Sequence, residues 1–276
     1  MQKFSVAMSV YKSDNPQFFD RALESITTLQ TIKPNEICLV VDGPVSDEIN
    51  SVIDKYEKEY CINTIRLEKN GGLGNALKIA VEASKYDLIA RMDSDDVALP
   101  NRFEQQLLFF DKYPNVDILG GNISEFIDEE GNIVSYRNVP QENEKIKKYL
   151  KKRCPFNHVT VMFRKNSIIK CGNYQSWHYN EDYYLWIRMA INNCTFANLD
   201  KVLVNVRIGS DMYARRGGKK YFKSEKELQK YMLKNRIIKY PTYLINVIKR
   251  WIIQVCMPNK LRGWIFRKFA RSKKHE

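Results

Sequence analysis

Apolar residues in the first ninety positions fall into four short blocks, Phe4–Val10, Glu36–Val41, Ile62–Leu67 and Tyr86–Ala90. Each has strand length, and Glu36–Val41 and Tyr86–Ala90 read as buried strands. Between them lie segments of helical character: an amphipathic stretch Phe18–Leu29, a polar one Ser46–Tyr60, and a third that opens after Asn70-Gly71-Gly72-Leu73-Gly74-Asn75 and runs to about Lys85. Strand and helix alternating four times predict a Rossmann-like α/β unit, a mostly parallel sheet with helices on both faces. After residue 100 the rhythm changes. A helix is predicted over Arg102–Tyr113, then apolar segments at Val116–Gly120 and Ile123–Ile127 and a turn at Glu129-Glu130-Gly131-Asn132. A basic, solvated helix follows over Lys145–Arg153, and then a strand at His158–Arg164. This second half is mixed α/β and is expected to complete the site.

The last stretch differs again. Leu244, Val247, Ile248, Trp251, Ile252 and Val255 recur at helical spacing, with Lys249, Arg250 and Gln254 on the other side. Leu261, Trp264, Ile265 and Phe269 continue the pattern among Arg262, Arg267, Lys268 and Arg271. No uncharged run approaches the ~20 residues that span a bilayer. The pattern predicts basic amphipathic helices lying in a membrane interface, with Trp251, Ile252, Trp264, Arg267 and Lys268 at an anionic lipid surface. Such a basic helix could also bind nucleic acid or pack on the body, but the apolar face is too large for a contact with phosphate alone, so the membrane surface is favoured. Charge supports a division at residue 218. The chain has 276 residues and a net charge of +13, and residues 219–276 hold 17 of its 45 Lys and Arg but only 3 of its 32 Asp and Glu. A near-neutral body, residues 1–218, therefore carries a polycationic tail, residues 219–276.

Composition, 44% apolar and 28% charged, allows a substantial core. The six cysteines are scattered without a Cys-x-x-Cys pair, which predicts reduced thiols rather than a disulfide or zinc framework. The chain enters a strand at once, with no signal-like segment, so the expectation is a protein that is not exported.

The richest chemistry lies in Arg91-Met92-Asp93-Ser94-Asp95-Asp96, directly after the fourth apolar block. Carboxylates this close repel one another unless a cation neutralises them, and open α/β sheets bind ligands outside the carboxyl ends of their strands. Two readings remain open on these residues alone: a Mg²⁺ or Mn²⁺ site for a phosphorylated substrate, or a solvated turn before the helix that starts near Pro100. Asp42 also ends an apolar block, before Gly43, placed either to reach a nucleobase or ribose or to make a plain Asp-Gly turn. The Asn70–Asn75 glycine cluster follows a strand and opens a helix, and serves either phosphate approach or a tight turn. A second acidic pair, Glu181-Asp182, begins a helical segment. It is suited to capping that helix or to accepting a proton from a hydroxyl. Tyr183, Tyr184, Trp177 and Trp186 stand nearby as candidate faces for a sugar ring.

Taken in order, Val41-Asp42-Gly43, Asn70-Gly71-Gly72-Leu73-Gly74, Met92-Asp93-Ser94-Asp95-Asp96 and Asn180-Glu181-Asp182-Tyr183-Tyr184-Leu185-Trp186 resemble the family 2 glycosyltransferases of GT-A fold, over about residues 3–218. The resemblance implies transfer of a sugar, with inversion, from a nucleotide-diphospho-sugar. By position it implies Asp42, Asn70, Gly71, Arg91 and Asp93 at the donor, Asp95 on Mn²⁺ or Mg²⁺, Asp182 as catalytic base with Glu181 in support, and Trp177 and Trp186 against a sugar. Met212-Tyr213-Ala214-Arg215-Arg216-Gly217-Gly218 resembles a stretch of the polysaccharide-assembly members, and Arg215 and Arg216 beside its glycines suit either a loop closing over the donor pyrophosphate or a solvated basic turn. The expected reaction is hexosyl transfer, glucose or galactose, from a UDP-sugar to an undecaprenyl-diphosphate-linked sugar such as GlcNAc. It gives a β-linkage at the cytoplasmic face of a bacterial inner membrane, in O-antigen or other surface-polysaccharide assembly. Two positions depart from the family pattern. Pro44 follows Asp42-Gly43 where Asp-Asp-Gly-Ser is common, and Gly209 stands where many members carry the histidine of Arg-x-His.

Three other readings compete. Asp93-Ser94-Asp95-Asp96-Val97 fits the Asp-x-Asp-x-Val of haloacid-dehalogenase phosphatases and phosphotransferases, although that family carries it on the first strand. A nucleotidyltransferase would also use sheet-edge aspartates, but Ser5–Pro16 lacks its glycine- and lysine-bearing signature. A non-catalytic membrane adaptor would leave both acidic clusters without a purpose.

Overall fold

The computed structural model describes residues 2–209, 217–258, 261–262 and 271–272. In chain order the elements are β1 (Phe4–Val10), α1 (Pro16–Ile26), β2 (Glu36–Val41), α2 (Asp47–Glu57), β3 (Ile62–Arg66), α3 (Leu73–Ala83), β4 (Leu88–Met92), β5 (Val97–Ala98), α4 (Arg102–Lys112), β6 (Ile118–Phe126), β7 (Ile133–Arg137), α5 (Asn143–Leu150), β8 (Met162–Arg164), α6 (Lys165–Lys170), α7 (Glu181–Ile191), β9 (Phe196–Arg207), α8 (Lys219–Lys234) and α9 (Tyr240–Trp251). A 3₁₀ turn at His158–Thr160 precedes β8, and a π turn at Ile252–Cys256 extends α9.

The strands form one sheet in the order β3-β2-β1-β4-β8-β6-β9-β5, with β7 also paired to β6. From β3 to β4 it is parallel. Strand β8 then runs antiparallel to both β4 and β6, and β9 is parallel to β6. The parallel half agrees with the alternating pattern of the sequence. The two apolar segments around residues 116–127 are one nine-residue strand, β6, because Gly121 and Asn122 continue the ladder. A Cβ at Gly120 or Gly121 would collide with Asn198 or Leu203 across the pair, so these glycines allow β9 to lie close. The predicted strand at His158–Arg164 is shorter than expected, since its first three residues turn.

Side-chain alternation along β1 and β2 assigns the two faces. Phe4, Val6, Met8 and Val10, with Ile37, Leu39 and Val41, join α1, α2 and α4 in one core. Ala7, Cys38 and Val40 join α3, α5, α7 and α8 in the other. Local chemistry starts the first helix: Pro16 takes a first-turn position that needs no amide, and the Asn15 side chain accepts the Gln17 N–H (2.8 Å) and Phe18 N–H (3.2 Å). Phe19, Ala22, Leu23 and Ile26, one stripe of α1, are then wholly buried, and Phe19, Leu23 and Ile26 each contribute about 1.5–3 kcal/mol of apolar burial.

Candidate active site

The register Val10↔Val41 and Met8↔Met92 brings the carboxyl ends of β1, β2 and β4 to one edge. The residues that follow them, Asp14, Asp42 and Asp93, therefore emerge side by side. Arg91, buried within β4, grips the Asp93 carboxylate with both terminal nitrogens. Asp14 accepts the Tyr11 N–H (3.0 Å) and the Ser94 hydroxyl (2.9 Å), and burial raises its pKa. Asp95 has exposed surface but stands low among these groups. The surrounding protein, with the Asp93 and Asp14 carboxylates, pushes it up to about 6. Asp96 turns inward, where its carboxylate accepts the Arg207 N–H (2.9 Å) and burial raises its pKa strongly. The Arg207 guanidinium lies between the rings of Phe18 and Phe126 and donates to the Asp128 carbonyl (2.9 Å). It packs one edge of the site where the family's histidine is replaced by Gly209.

The carboxylate crowding fits a divalent cation, with Asp95 as the ligand on offer because Asp93 is held by Arg91. Among the described residues no group of three His, Cys, Asp or Glu side chains makes a ready cage. A cation held there would need further ligands from outside these side chains.

Asp42 is built into its loop. Its two carboxylate oxygens accept the amides of Gly71 (2.7 Å) and Gly72 (2.9 Å), while the Asn70 amide donates to its carbonyl (3.1 Å). Gly43, at φ +88°, lets the two loops meet, since a Cβ there would come within 2.8 Å of the Asn70 nitrogen. Asp42, expected either to reach a nucleobase or ribose or to make a plain Asp-Gly turn, thus clamps and shapes the Asn70–Gly72 loop. Gly72, at φ +83°, then opens α3, and Gly74 passes against Glu181.

The second acidic pair starts α7. The Asn180 side chain does not cap the helix and donates instead to the Ser224 hydroxyl (3.2 Å) on α8. Asp182 faces the cleft, and its Oδ2 lies 3.5 Å from the Cys154 thiol. Burial raises the Asp182 pKa against the lowering effect of the Tyr183 N–H and the thiol. Burial and the neighbouring Asp182 charge push Glu181 up to about 7. Beside them, His158 shares a 2.8 Å hydrogen bond with the Tyr174 hydroxyl, and burial with the nearby Arg91 charge keeps its imidazole neutral well below its usual range.

Two aromatic expectations change. Trp186 is fully buried, edge-on to Phe156, His158 and Tyr174, so it supports the floor of the site and offers no face to a sugar. Trp177 packs on Tyr184 with ring centroids 4.3 Å apart and donates its indole N–H to the Ser224 carbonyl (3.2 Å), tying α8 to the site. Among the aromatics that line the cleft, Tyr179 is 56% exposed and stands at φ +56°. A left-handed conformation costs a non-glycine residue about 1–2 kcal/mol, so the surrounding fold imposes this orientation.

Asp93, Asp96, Cys154, His158, Tyr179 and Asp182 line one cleft of about 540 Å³, which extends to Glu225, Lys249 and Arg250 of the last helices; Asp95 and Glu181 are chain neighbours of its lining residues. Sequence reading missed Asp14, Cys154, His158 and Tyr179. Asp14 alone left a trace, a polar turn after a buried strand. The other three come together only when β4, β8 and α7 meet. Arg215, Arg216, Trp264, Arg267 and Lys268 lie outside the described residues.

In the tail, Trp251 and Ile252 are 49% and 45% exposed, on a stripe with Leu244, Ile245 and Ile248. Arg250 and Gln254, expected opposite that stripe in solvent, instead face the body, where Arg250 pairs with Glu225 and Gln254 donates to the same carboxylate (3.1 Å). No helix among the described residues is long and apolar enough to cross a membrane.

Comparison with known proteins agrees with this layout. The family model described as "Glycosyl transferase family 2" matches residues 5–176. The chain is 39% identical to the UDP-Gal:alpha-D-GlcNAc-diphosphoundecaprenol beta-1,3-galactosyltransferase of Escherichia coli, over 98% of this chain and 97% of that one. It is 40% identical to an amylovoran biosynthesis glycosyltransferase of Erwinia amylovora, over 83% and 85%. The crystal structure of a Pyrobaculum calidifontis mannosyltransferase with GDP-Man and Mn²⁺ shares the fold at 11% identity, with a TM-score of 0.63 over 98% of this chain and 76% of that one. The phosphatase reading, which needs its aspartates on the first strand, fails because they follow β4, the fourth strand of the chain. Sheet order, paired acidic clusters and sequence similarity all lead to one assignment: the chain belongs to the family 2 glycosyltransferases.

Proposed function

We propose that the protein is an inverting, metal-dependent hexosyltransferase. It moves a sugar from UDP to a polyprenyl-diphosphate-linked sugar such as GlcNAc, forming a β-linkage in surface-polysaccharide assembly. The observation that carries this reading is that one cleft is lined by the sheet-edge aspartates Asp93 and Asp96, on either side of Asp95 in the chain, and by Asp182, a carboxylate of raised pKa at a helix start. The donor's diphosphate belongs at the first group and the acceptor hydroxyl at the second. The Escherichia coli relative's use of UDP-Gal favours galactose among hexoses.

In this mechanism Asp182 accepts the acceptor hydroxyl's proton as that oxygen bonds to the anomeric carbon. The bond from that carbon to the diphosphate oxygen breaks on the opposite face, and its electron pair leaves with UDP. Attack opposite the leaving group turns an α-linked donor into a β-linked product. Burial raises the basicity of Asp182, and Cys154 orients its carboxylate. Arg91 holds Asp93 in place at the donor side. Mn²⁺ or Mg²⁺ bound at Asp95 supplies neutralisation of the leaving diphosphate. Arg215 and Arg216 are proposed to assist that charge.

The exposed stripe of α9 is proposed to rest on the cytoplasmic face of an anionic membrane, where a lipid-linked acceptor resides. The test is UDP release from a panel of UDP- and GDP-sugars with a lipid-diphosphate-GlcNAc acceptor, with and without Mn²⁺. Metal-dependent turnover of one donor, abolished in Asp95→Ala and Asp182→Ala, is the expected result. No turnover of any donor by the wild type would overturn the assignment of substrate.

A further inference from the structure

The C-terminal wall of the cleft is basic. The Lys151–Cys154 segment is fastened beneath α9, since Asn246 donates to the Lys151 carbonyl (2.9 Å) and Arg250 to the Lys152 carbonyl (2.9 Å). The Tyr183 hydroxyl, from α7, holds the Leu150 carbonyl (2.5 Å). One end of this segment therefore presents Lys152 and Arg153 beside Lys249, all lining the cleft, and the other end places the Cys154 thiol against Asp182. Among the described residues none of Lys152, Arg153 and Lys249 forms an ion pair. The one nearby carboxylate in the wall, Glu225, is taken by Arg250 and Gln254. Burial and the neighbouring Arg137 charge both disfavour the Arg153 cation, a cost that an anion in the cleft would relieve.

Beyond Lys249 the surface changes character within one residue. Ile248, Trp251 and Ile252 turn outward and are about half exposed. A ligand that fits both surfaces has an anionic group on the cleft side and an alkyl chain on the outer side.

We propose that Lys152, Arg153 and Lys249 form the seat for the diphosphate of a lipid-linked acceptor, one sugar ring away from Asp182, with its chain leaving along the apolar face of α9. This rests on the lipid-diphosphate reading of the acceptor and names the residues that would select it. The donor's diphosphate occupies the sheet side of the cleft in that reading, so two diphosphates are held by separate walls. Fork-like guanidinium and mobile ammonium donors suit a group with this many anionic oxygens.

The test uses citronellyl diphosphate, a short soluble prenyl diphosphate, titrated calorimetrically into the full chain with UDP saturating the donor site and no membrane present. Wild type is expected to bind it. Lys152→Ala/Lys249→Ala, both exposed positions, is expected to bind at least tenfold more weakly while its UDP affinity stays within twofold. With the lipid-diphosphate-GlcNAc acceptor, KM should rise at least tenfold in the double variant and kcat should stay within threefold. Equal affinity of both proteins for citronellyl diphosphate, or no binding by wild type, overturns the proposal. So does a double variant that loses binding to phosphatidylglycerol vesicles but keeps its diphosphate affinity, because the lysines would then be headgroup contacts. If the affinity difference is found but no UDP-sugar is transferred, the diphosphate seat stands and the transfer reaction falls.

Discussion

Helices α1 and α9 are near equals in length and amphipathicity, yet they are used in opposite senses. α1 turns its apolar stripe inward, and Phe19, Ala22, Leu23 and Ile26 vanish into the core beneath the parallel sheet. α9 turns its apolar stripe outward, and its one buried residue is Asn246, hydrogen-bonded to Gln229 of α8 and to the Lys151 carbonyl. The first helix is attached by apolar burial and the last largely by polar groups paired with α8 and with the Lys151 and Lys152 carbonyls. A soluble protein gains nothing from leaving Leu244, Ile245, Ile248, Trp251 and Ile252 in water, so this arrangement is understandable when a lipid surface covers them. The amphipathic pattern alone shows that such a helix has two faces. Which face meets the body depends on what that body offers, and here it offers Gln229, Glu225 and main-chain carbonyls.

The contrast yields tests of decreasing size. The largest concerns the catalytic end of the cleft. Asp182→Asn keeps the shape and removes the base, and kcat should fall about 10²–10⁴-fold with KM for the donor little changed, measured by UDP release. A variant that retains wild-type kcat would move the base elsewhere. At the other end, Ile245→Ser/Ile248→Ser/Trp251→Ser should cut partition onto phosphatidylglycerol vesicles roughly 100-fold, at about 1 kcal/mol for each half-exposed side chain. The melting temperature of the same variant in detergent-free buffer should hardly move, because surface changes stay within about 0.5 kcal/mol. If it unfolds instead, α9 is packed apolar face inward and the comparison with α1 fails.

A smaller effect lies in pH. The Cys154 thiol donates to Asp182 and so favours the ionised carboxylate. Removing it in Cys154→Ala raises the pKa of the base, and the acid limb of kcat/KM should move to higher pH. A shift in the other direction would mean that the thiol is not a donor to the base. The smallest effect concerns Asp95. Its pKa in the folded protein, about 6, exceeds its ordinary 3.8, so ionisation opposes folding. The stability it costs is greatest above pH 6 and is recovered as pH falls from 6 toward 3.8. Asp95→Asn should therefore raise the metal-free Tm at pH 7 by about 2 °C and abolish the further rise that Mn²⁺ gives the wild type.

Much of the parallel half was readable in the chain. The predicted bounds of β1 and β2 match the structure residue for residue, and those of β3 and β4 agree within two residues; β1, β2 and β4 are almost wholly buried and so need apolar runs bounded by turns, while β3, at the sheet edge, is half-buried and keeps polar residues. The positions of Asp93, Asp95 and Asp182 were equally visible as clusters. Their neighbours were less so. Trp186 looked available to a sugar because a helix-borne aromatic carries no mark of which side is covered, and α7 buries that side against Phe156 and Tyr174. Asp42 looked free because its partners, the Gly71 and Gly72 amides, are 29 and 30 residues away.

Local periodicity and covalent order thus determined the strands, the helices, the acidic clusters and the existence of an amphipathic, cationic tail. Those features depend on residues near one another in sequence, and alternation or spacing records them directly. Tertiary structure decided which carboxylate is held by an arginine, which is raised toward neutrality by crowding, which aromatic faces the cleft and which side of α9 is left in water. Each of these is a competition between burial and pairing among segments far apart in the chain, settled only when β4, β8, α7 and α9 meet around one cleft.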